Sequence, residues 1–407
     1  MVGSKKKPLF SKKALSGVKV KGFKASAVSC GIKGGKNKDL ALISADAPVN
    51  AAAVFTKNLV KAAPVLLSQK RISRGKASCV VVNSGNANVS AGKRCAVDAL
   101  KMTKAVEKEL GIAQGEALVA STGIIARPLP IKKIEIAVPK LVAGLKDNGW
   151  AEFAEAIMTT DAFHKASKKS FKLGSETVTV LGIAKGAGMI CPDMATMLAF
   201  VMTDVSISSA QLRRSLKKAV DTSFNRATVD GDTSTNDTVV IMASGKSKVA
   251  CKPSTIALRK FENALNEVSM DLTRQIVLDG EGATKLANIL VKGARVQKDA
   301  ELVARTVASS QLVKTALYGN DPNWGRIIAA AGRSGVLFDP EKTVLKIGPV
   351  VLYSGGKPSG REKEALRFMK KREVDIVVDL KRGKASFGVI TSDLSVEYVK
   401  INAEYTT

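Results

Sequence analysis

Two kinds of hydrophobic pattern alternate along the chain, one typical of short buried strands and the other of helices that bury one face. Short apolar runs rich in β-branched residues predict strands. They lie at residues 79–83, 118–121, 178–183, 198–202, 238–243, 289–291, 374–379 and 386–390. In segment 209–221, Leu212, Leu216 and Val220 recur at four-residue spacing, which predicts an amphipathic helix. Similar patterns predict helices at about 91–110, 254–278 and 298–316.

The order of these elements favours an α+β fold of layered mixed sheets. Strands and helices follow one another without the strict alternation that a doubly wound parallel sheet requires. With 407 residues, of which 45% are hydrophobic and 25% charged, the chain has a globular composition and can bury a substantial core. Length alone is compatible with two or three domain-sized units or with one large fold.

The net charge of +28 is the most unusual property of the composition. A charge of this size can indicate a nucleic acid, a membrane surface or an anionic substrate. The lysines are spread along the chain, however, and aromatic residues make up only 4%, so few side chains are available to stack on bases. A lysine-rich, solvated surface is the favoured interpretation.

The sequence predicts a cytoplasmic protein with reduced thiols. It contains no apolar run of about 18 residues that would form a transmembrane helix. Its basic N-terminal segment lacks the apolar stretch of a secretory signal. The cysteines are scattered and odd in number, and none forms a CxxC pair, which argues against a disulfide framework or a zinc site. They are Cys30, Cys79, Cys95, Cys191 and Cys251.

The sequence does not match the common motifs for histidine-based catalysis, calcium binding or phosphate binding. Any histidine-based triad or metal site would depend on the single histidine, His164, and a lone histidine is more often structural. Segment 229–238 begins like a calcium loop, but Thr235 and Ile241 stand where an EF-hand requires glycine and glutamate. Segment 244–247 resembles the end of a P-loop, but Val240 replaces its first glycine.

A nucleophile that carries its own base needs no histidine. When a peptide bond before Thr, Ser or Cys is cut, the new α-amine has a pKa of about 8 and can accept the side-chain proton. Segment 182–200 (GIAKGAGMICPDMATMLAF) places a glycine-rich loop and Pro192 ahead of Thr196, and an apolar strand follows. On composition alone this segment is typical of an ordinary loop that leads into a core strand.

The same segment resembles the self-processing site of the ornithine acetyltransferase (glutamate N-acetyltransferase) family of arginine biosynthesis. That family carries the signature KG-G-M--P-MATML and is cleaved between alanine and threonine, here Ala195 and Thr196. Other blocks agree in order: KAAPV at 61–65, NSGNAN at 83–88, STGIIARPLP at 121–130, MTTDAF at 158–163, FNRATVDGDTSTNDT at 224–238, YGNDPNWGRIIAAAG at 318–332 and NAEYTT at 402–407. The resemblance extends from about Gly22 to the last residue, and so many ordered blocks make it specific.

The resemblance implies roles for individual residues. Thr196 is the implied nucleophile, and Thr122 with Gly123 is the implied oxyanion hole. Lys185 would bind the α-carboxylate of an amino-acid substrate, and Glu281 the side-chain ammonium of ornithine. Further substrate contacts are implied for Asn402, for Thr407 and for one of Thr159 and Thr160, with Thr159 favoured. Segment 224–238 is interpreted as a wall of the site that acts as scaffold, through hydrogen bonds from its side chains to the backbone.

The resemblance also implies the processing, assembly and reaction of the protein. Chains 1–195 and 196–407 would remain associated, with two copies of each in a heterotetramer. Their fold would be a layered α/β/β/α sandwich, similar in layering to N-terminal nucleophile hydrolases but differently connected. The implied reaction moves the acetyl group of N2-acetylornithine to glutamate through an acetyl-Thr196 intermediate, with no metal or redox cofactor.

Some questions stay open at the level of sequence. Some members of the family also accept acetyl-CoA as the acetyl donor, and the sequence does not say whether this chain does. Asp193 stands where the family usually has asparagine, which leaves the rate of cleavage open. Two alternatives remain: a related amidase or aminopeptidase in which water replaces glutamate, and a nucleic-acid-binding protein suggested by charge alone.

Overall fold

The computed structural model describes residues 10–191 and 197–404. The strands are β1 (Phe23–Val28), β2 (Leu40–Phe55), β3 (Lys76–Asn86), β4 (Ala117–Ile124), β5 (Lys165–Leu173), β6 (Glu176–Lys185), β7 (Leu198–Thr203), β8 (Ala227–Thr228), β9 (Thr238–Ala243), β10 (Leu286–Ala294), β11 (Val344–Ile347), β12 (Val350–Ser354), β13 (Lys357–Pro358), β14 (Glu373–Asp379) and β15 (Ala385–Ser392). The helices are α1 (Lys12–Ser16), α2 (Ala63–Ile72), α3 (Arg94–Leu110), α4 (Ile131–Ala143), α5 (Trp150–Ala156), α6 (Ser209–Thr222), α7 (Ile256–Leu278), α8 (Gln297–Ala308), α9 (Gln311–Tyr318), α10 (Trp324–Gly332), α11 (Glu362–Met369) and α12 (Val396–Glu404).

The described strands form two mixed sheets. The first sheet has the order β4-β3-β2-β9-β7-β6-β5, and β1 pairs with β2 beside this path. The second has the order β13-β12-β11-β14-β10-β15-β8. Both sheets contain parallel and antiparallel pairs: β7 runs parallel to β9 but antiparallel to β6, and β10 runs parallel to β14 but antiparallel to β15.

Apolar faces of helices cover these sheets in layers. Side chains of α6 and α7, such as Leu216 and Leu272, pack against one face of the first sheet. Leu15 of α1 and Trp150 of α5 lie in the core on the other face. Helices α8 to α11 share a third core with the second sheet. The predicted class, α+β with layers of helices on mixed sheets, is confirmed. No helix in the described parts of the chain combines the length and the apolar character needed to cross a bilayer.

Most predicted elements are confirmed, and one helix was predicted wrongly. Each predicted strand lies within an observed strand, and segments 91–110, 209–221 and 254–278 contain α3, α6 and α7. The single helix predicted at 298–316 is two helices, α8 and α9. Ser310 is the N-cap of α9, and its side chain accepts a hydrogen bond from the backbone N–H of Val313. Serine is strongly preferred at the N-cap, so a new helix begins here.

The strand register brings the loops of the first sheet together on one side. Lys185, the last residue of β6, pairs with Leu198, the first of β7, and Leu198 pairs with Thr238, the first of β9. The side chain of Asn236 donates a hydrogen bond of 2.8 Å to the backbone carbonyl of Ser121 in β4. The end of β4 therefore lies beside the beginning of β9, and a pocket forms where these strands meet.

Candidate active site

One pocket brings together every predicted site residue that the structure describes. Its lining includes the predicted residues Thr122, Gly123, Thr159, Thr160, Lys185, Glu281 and Asn402. It also includes Met189, Asp230, Asp232 and Tyr398, which the sequence did not single out as substrate contacts. Ala195, Thr196 and Thr407, and with them Asp193, lie outside the described residues. The pocket nevertheless lies beside the chain upstream of Thr196, since Lys185, Gly188 and Met189 line it.

Lys185 is buried at the end of β6, where its ammonium group reaches two threonines of the pocket. Its Nζ donates to Thr159 Oγ1 at 2.7 Å and to Thr122 Oγ1 at 3.4 Å. Burial lowers the pKa of Lys185, and the carboxylate of Asp161, 3.7 Å away, opposes that shift. Thr159 therefore contacts the predicted carboxylate-binding lysine directly, while Thr160 contributes to the pocket wall.

The Ser121-Thr122-Gly123 segment has a backbone conformation that requires glycine. Gly123 has a φ of +129°, and a Cβ at this position would collide with the backbone of Gly85 in β3. Ser121 Oγ donates to Asn83 Oδ1 at 2.6 Å, and Asn236 donates to the Ser121 carbonyl. These neighbours hold the segment in place, and Thr122 and Gly123 line the pocket.

A buried ion network lies behind Lys185. Lys165 has no exposed surface, and its Nζ lies 2.6 Å from both Asp161 Oδ1 and Asp279 Oδ2. Asp161 also accepts backbone hydrogen bonds from Thr159 at 2.9 Å and Gly186 at 2.7 Å. Burial acts to raise the pKa of Asp161, but Lys165 and Lys185 outweigh it and hold the pKa below its usual range. Through Asp161, the network therefore holds the backbone at Thr159 and at Gly186, the residue after Lys185.

Carboxylates also line the pocket, those of Asp230, Asp232 and Glu281. Asn402 Nδ2 of α12 donates to Glu281 Oε2 at 3.0 Å, and the Glu281 carboxylate lies against Gly188, where a Cβ would have no room. Burial, followed by the nearby carboxylate of Asp230, raises the pKa of Tyr398. The lining of one pocket therefore combines a basic side chain, Lys185, with an acidic one, Glu281.

Among the described residues outside the pocket, neither the histidine nor the cysteines form a second catalytic set. His164 is buried, its Nε2 lies 2.9 Å from the Phe10 carbonyl, and burial lowers the pKa of its imidazole. The described cysteines, Cys30, Cys79, Cys95, Cys191 and Cys251, form no disulfide with one another. Within residues 10–191 and 197–404, no group of His, Cys, Asp and Glu side chains is arranged to hold a metal ion.

The sequence held a weak signal for the residues it missed. Asp161 lies within the MTTDAF block, and Asp230 lies within the 224–238 block, but neither block says which side chain faces a pocket. Lys165 and Asp279 carry no local motif, and they meet only because β5 packs beside the end of α7.

Comparison with known proteins identifies relatives over nearly the whole chain. The model of the ArgJ family matches residues 24–407. The chain is 48% identical over 391 residues to the arginine biosynthesis bifunctional protein ArgJ of Geobacter sulfurreducens, covering 95% of this chain and 100% of that protein. It is 47% identical to the corresponding protein of Desulfotalea psychrophila, again covering 95% and 100%. The crystal structure of the ArgJ bifunctional protein from Bacillus halodurans is 43% identical and covers 51% of this chain and 98% of that one, with a TM-score of 0.49.

Proposed function

The chain belongs to the ArgJ family, and on that premise we propose that it transfers the acetyl group of N2-acetylornithine to glutamate in arginine biosynthesis. The observation that carries the proposal is the presence of Lys185 and Glu281 in the lining of one pocket, together with Thr122 and Gly123. N2-acetylornithine matches both charges, because it carries one free carboxylate and one ammonium group, which is on its side chain. A basic nucleic-acid-binding surface would need neither this pocket nor its internal carboxylates.

Substrate recognition uses the basic and the acidic side chains of the pocket. The Lys185 ammonium binds the α-carboxylate of acetylornithine, assisted by Thr159, whose hydroxyl is already hydrogen-bonded to it at 2.7 Å. Glu281, held by Asn402, binds the ammonium on the ornithine side chain. In the second half of the reaction, glutamate places its own α-carboxylate on Lys185. Thr407 completes the predicted contacts, and Thr160 belongs to the pocket wall.

The chemistry takes place at Thr196, which a cut after Ala195 converts into an N-terminal residue. Its hydroxyl oxygen attacks the acetyl carbonyl while its α-amine accepts the hydroxyl proton. Thr122 and the Gly123 backbone stabilise the oxyanion of the tetrahedral intermediate. The C–N bond then breaks, ornithine leaves with the proton from the α-ammonium, and an acetyl ester remains on Thr196. The amine of glutamate attacks this ester, which releases N-acetylglutamate and restores the threonine.

Processing and assembly follow from the same proposal. Chains 1–195 and 196–407 stay associated after the cut, and two copies of each form a cytoplasmic heterotetramer. Acetyl-CoA as an alternative acetyl donor remains a separate question, which an assay with acetyl-CoA and glutamate in the absence of acetylornithine answers.

The decisive experiment is the intact mass of the purified protein beside its Thr196→Ala and Thr196→Ser variants. We expect the wild type to give two chains, one ending at Ala195 and one beginning at Thr196. The Thr196→Ala variant should stay whole, because it has no nucleophile, and Thr196→Ser should still be cut. A wild type that stays whole under native conditions would contradict the proposal.

An assay on the cut enzyme separates transfer from hydrolysis. We expect acetylornithine and glutamate to give ornithine and N-acetylglutamate in equal amounts, and the Thr196→Ala variant to lose at least about 1,000-fold in rate, as when other catalytic nucleophiles are removed. Steady release of acetate without glutamate would instead support the hydrolase alternative.

A further inference from the structure

The segment that contains the cleavage point is held on both sides by one loop, residues 228–238. The inference drawn from this loop rests on the proposed self-cleavage before Thr196. On the upstream side, Asp230 accepts backbone hydrogen bonds from Met189 at 2.6 Å and from Ile190 at 2.8 Å. The carbonyl of Ile190 accepts from the backbone N–H of Val229 at 2.8 Å. The loop therefore fixes the chain immediately before residues 192–196.

On the downstream side, the loop holds the residue bonded directly to Thr196. Asp237 Oδ1 accepts the backbone N–H of Met197 at 3.0 Å, and the carbonyl of Met197 accepts from the N–H of Thr238 at 3.1 Å. Both polar groups of the Met197 backbone thus have partners in the loop. This arrangement fixes the peptide unit that follows the predicted nucleophile before β7 begins.

The neighbouring residue, Asn236, connects the same loop to the oxyanion hole. Its Nδ2 donates to the carbonyl of Ser121 at 2.8 Å and to the carbonyl of Ala87 at 2.7 Å. Ser121 directly precedes Thr122, as Thr196 directly precedes Met197. Two consecutive side chains therefore contact the backbone beside the oxyanion hole and the backbone beside the nucleophile.

The environment of these side chains is unusual for a loop that serves only as a wall. Asp237 is fully buried and Asn236 is 5% exposed. Asp237 Oδ2 has no hydrogen-bond partner among the described residues, which is rare for a buried carboxyl oxygen and requires an explanation. Burial raises the pKa of Asp237 well above its usual value, against the opposing effects of the Met197 N–H, Ser234 and Lys185.

We propose that Asn236 and Asp237 are positioning residues that set the distance between the Thr196 nucleophile and the Thr122–Gly123 oxyanion hole. Both self-cleavage and acetyl transfer require attack by the Thr196 oxygen on a carbonyl whose oxygen lies in that hole. A small displacement of the nucleophile from the hole therefore slows both steps, while the substrate contacts of Lys185 and Glu281 remain in place.

The test compares substitutions at Asp237 with substitutions at a matched aspartate. Asp237→Ala removes the acceptor for Met197, and we expect self-cleavage to slow by roughly 10- to 100-fold. Asp237→Asn keeps an oxygen at the same place, and we expect a rate within about threefold of wild type. Asp204 is the control: it is buried, follows the far end of β7, and accepts a backbone hydrogen bond from Thr179 at 2.9 Å. Asp204→Ala should lower stability without slowing the cut.

Steady-state kinetics supply a readout that a purely structural role would not change. In the cut fraction of Asp237→Ala, we expect kcat for acetyl transfer to fall by about 10-fold or more while KM for acetylornithine stays within about twofold. Asn236→Ala removes the hydrogen bond to the Ser121 carbonyl, and we expect it also to lower kcat and leave KM nearly unchanged. This variant tests the proposal if Asp237→Ala does not fold.

Three results would contradict the positioning role of Asn236 and Asp237. Cleavage of Asp237→Ala at the wild-type rate would overturn the inference, as would an Asp237→Asn variant as slow as the alanine variant. Equal slowing by Asp204→Ala would show that general destabilisation is responsible. A wild type that is never cut would instead refute the proposed function, so the two failures can be told apart in one experiment.

Discussion

Buried lysines occur beside both sheets, but their partners differ. Next to the first sheet, Lys165 lies 2.6 Å from each of two carboxylates, those of Asp161 and Asp279. Next to the second sheet, Lys314 of α9 is buried to the same degree but donates to neutral groups of β15, the hydroxyls of Thr391 and Ser392 and the carbonyl of Ser392. The nearest carboxylates that act on it, Asp393 and Asp230, do so without a hydrogen bond.

The difference concerns the groups that act on the charge of each lysine. Beside the pocket, two carboxylates lie within 2.6 Å of the Lys165 ammonium, and Lys165 with Lys185 holds the pKa of Asp161 below its usual range. Beneath the second sheet, burial lowers the pKa of Lys314 to about 8. That lysine therefore gives up its charge at a lower pH than an ordinary lysine, although Asp393 and Asp230 oppose the shift. The buried lysine beside the pocket has carboxylate partners in direct contact, and the one beside the second sheet has none among the described residues.

The largest expected effect comes from breaking the network beside the pocket. Asp161→Ala removes one of two anions and leaves Lys165 and Lys185 buried with less compensation. We expect the free energy of unfolding to fall by about 3–5 kcal/mol. Urea unfolding in the uncut Thr196→Ala background measures this without chain separation. The exposed Asp147→Ala control should change stability by less than about 0.5 kcal/mol. An equally small loss for Asp161→Ala would show that the ion network does not stabilise the fold.

The pH dependence of the unfolding free energy tests the lowered pKa of Lys314. Because the folded-state pKa of Lys314 is about 8 and its ordinary value is 10.5, the unfolded chain binds more protons between these values. The stability contributed by Lys314 therefore rises from pH 8 to pH 10.5, by up to roughly 3 kcal/mol. The wild-type minus Lys314→Met difference in unfolding free energy should show this rise, since other titrating groups cancel. A difference independent of pH would mean that Lys314 keeps its proton.

The smallest expected effect tests the helix that carries Lys314. Ser310→Ala removes the side-chain cap of α9, and we expect a loss of about 1 kcal/mol in unfolding free energy. Ser309→Ala at the adjacent exposed position is the matched control and should be nearly neutral. Equal effects at the two positions would show that the cap does not separate α8 from α9.

These contrasts also mark what the sequence could and could not predict. Strands such as 198–202 were predictable because β-branched and aromatic residues fill both buried faces. The alanine-rich strand β2 escaped prediction, since its 16 residues have no strong alternation or β-branched run. The break at Ser310 was missed because the apolar spacing continues across it, and one side-chain cap decides the outcome.

The residues of the site also fall into those that the sequence predicted and those that it did not. The family resemblance predicted Thr122, Lys185 and Glu281, and the structure places all of them in one pocket. The interpretation of 224–238 as scaffold was too general, because it did not separate Asp230 and Asp237 from their neighbours. Which carboxylate of a loop meets which backbone N–H depends on contacts across some 40 residues, and no local pattern encodes them.

The strand order of the first sheet has a consequence for the proposed pair of chains. A cut before Thr196 would assign β4, β3, β2, β6 and β5 to one chain and β9 and β7 to the other, so the second chain's strands lie between β2 and β6 of the first. Six paired positions join them on each side. The two products would therefore share one sheet, and separating them would break the backbone hydrogen bonds at the centre of that sheet. Maturation would then be irreversible, and a mature enzyme could not exchange chains with its neighbours.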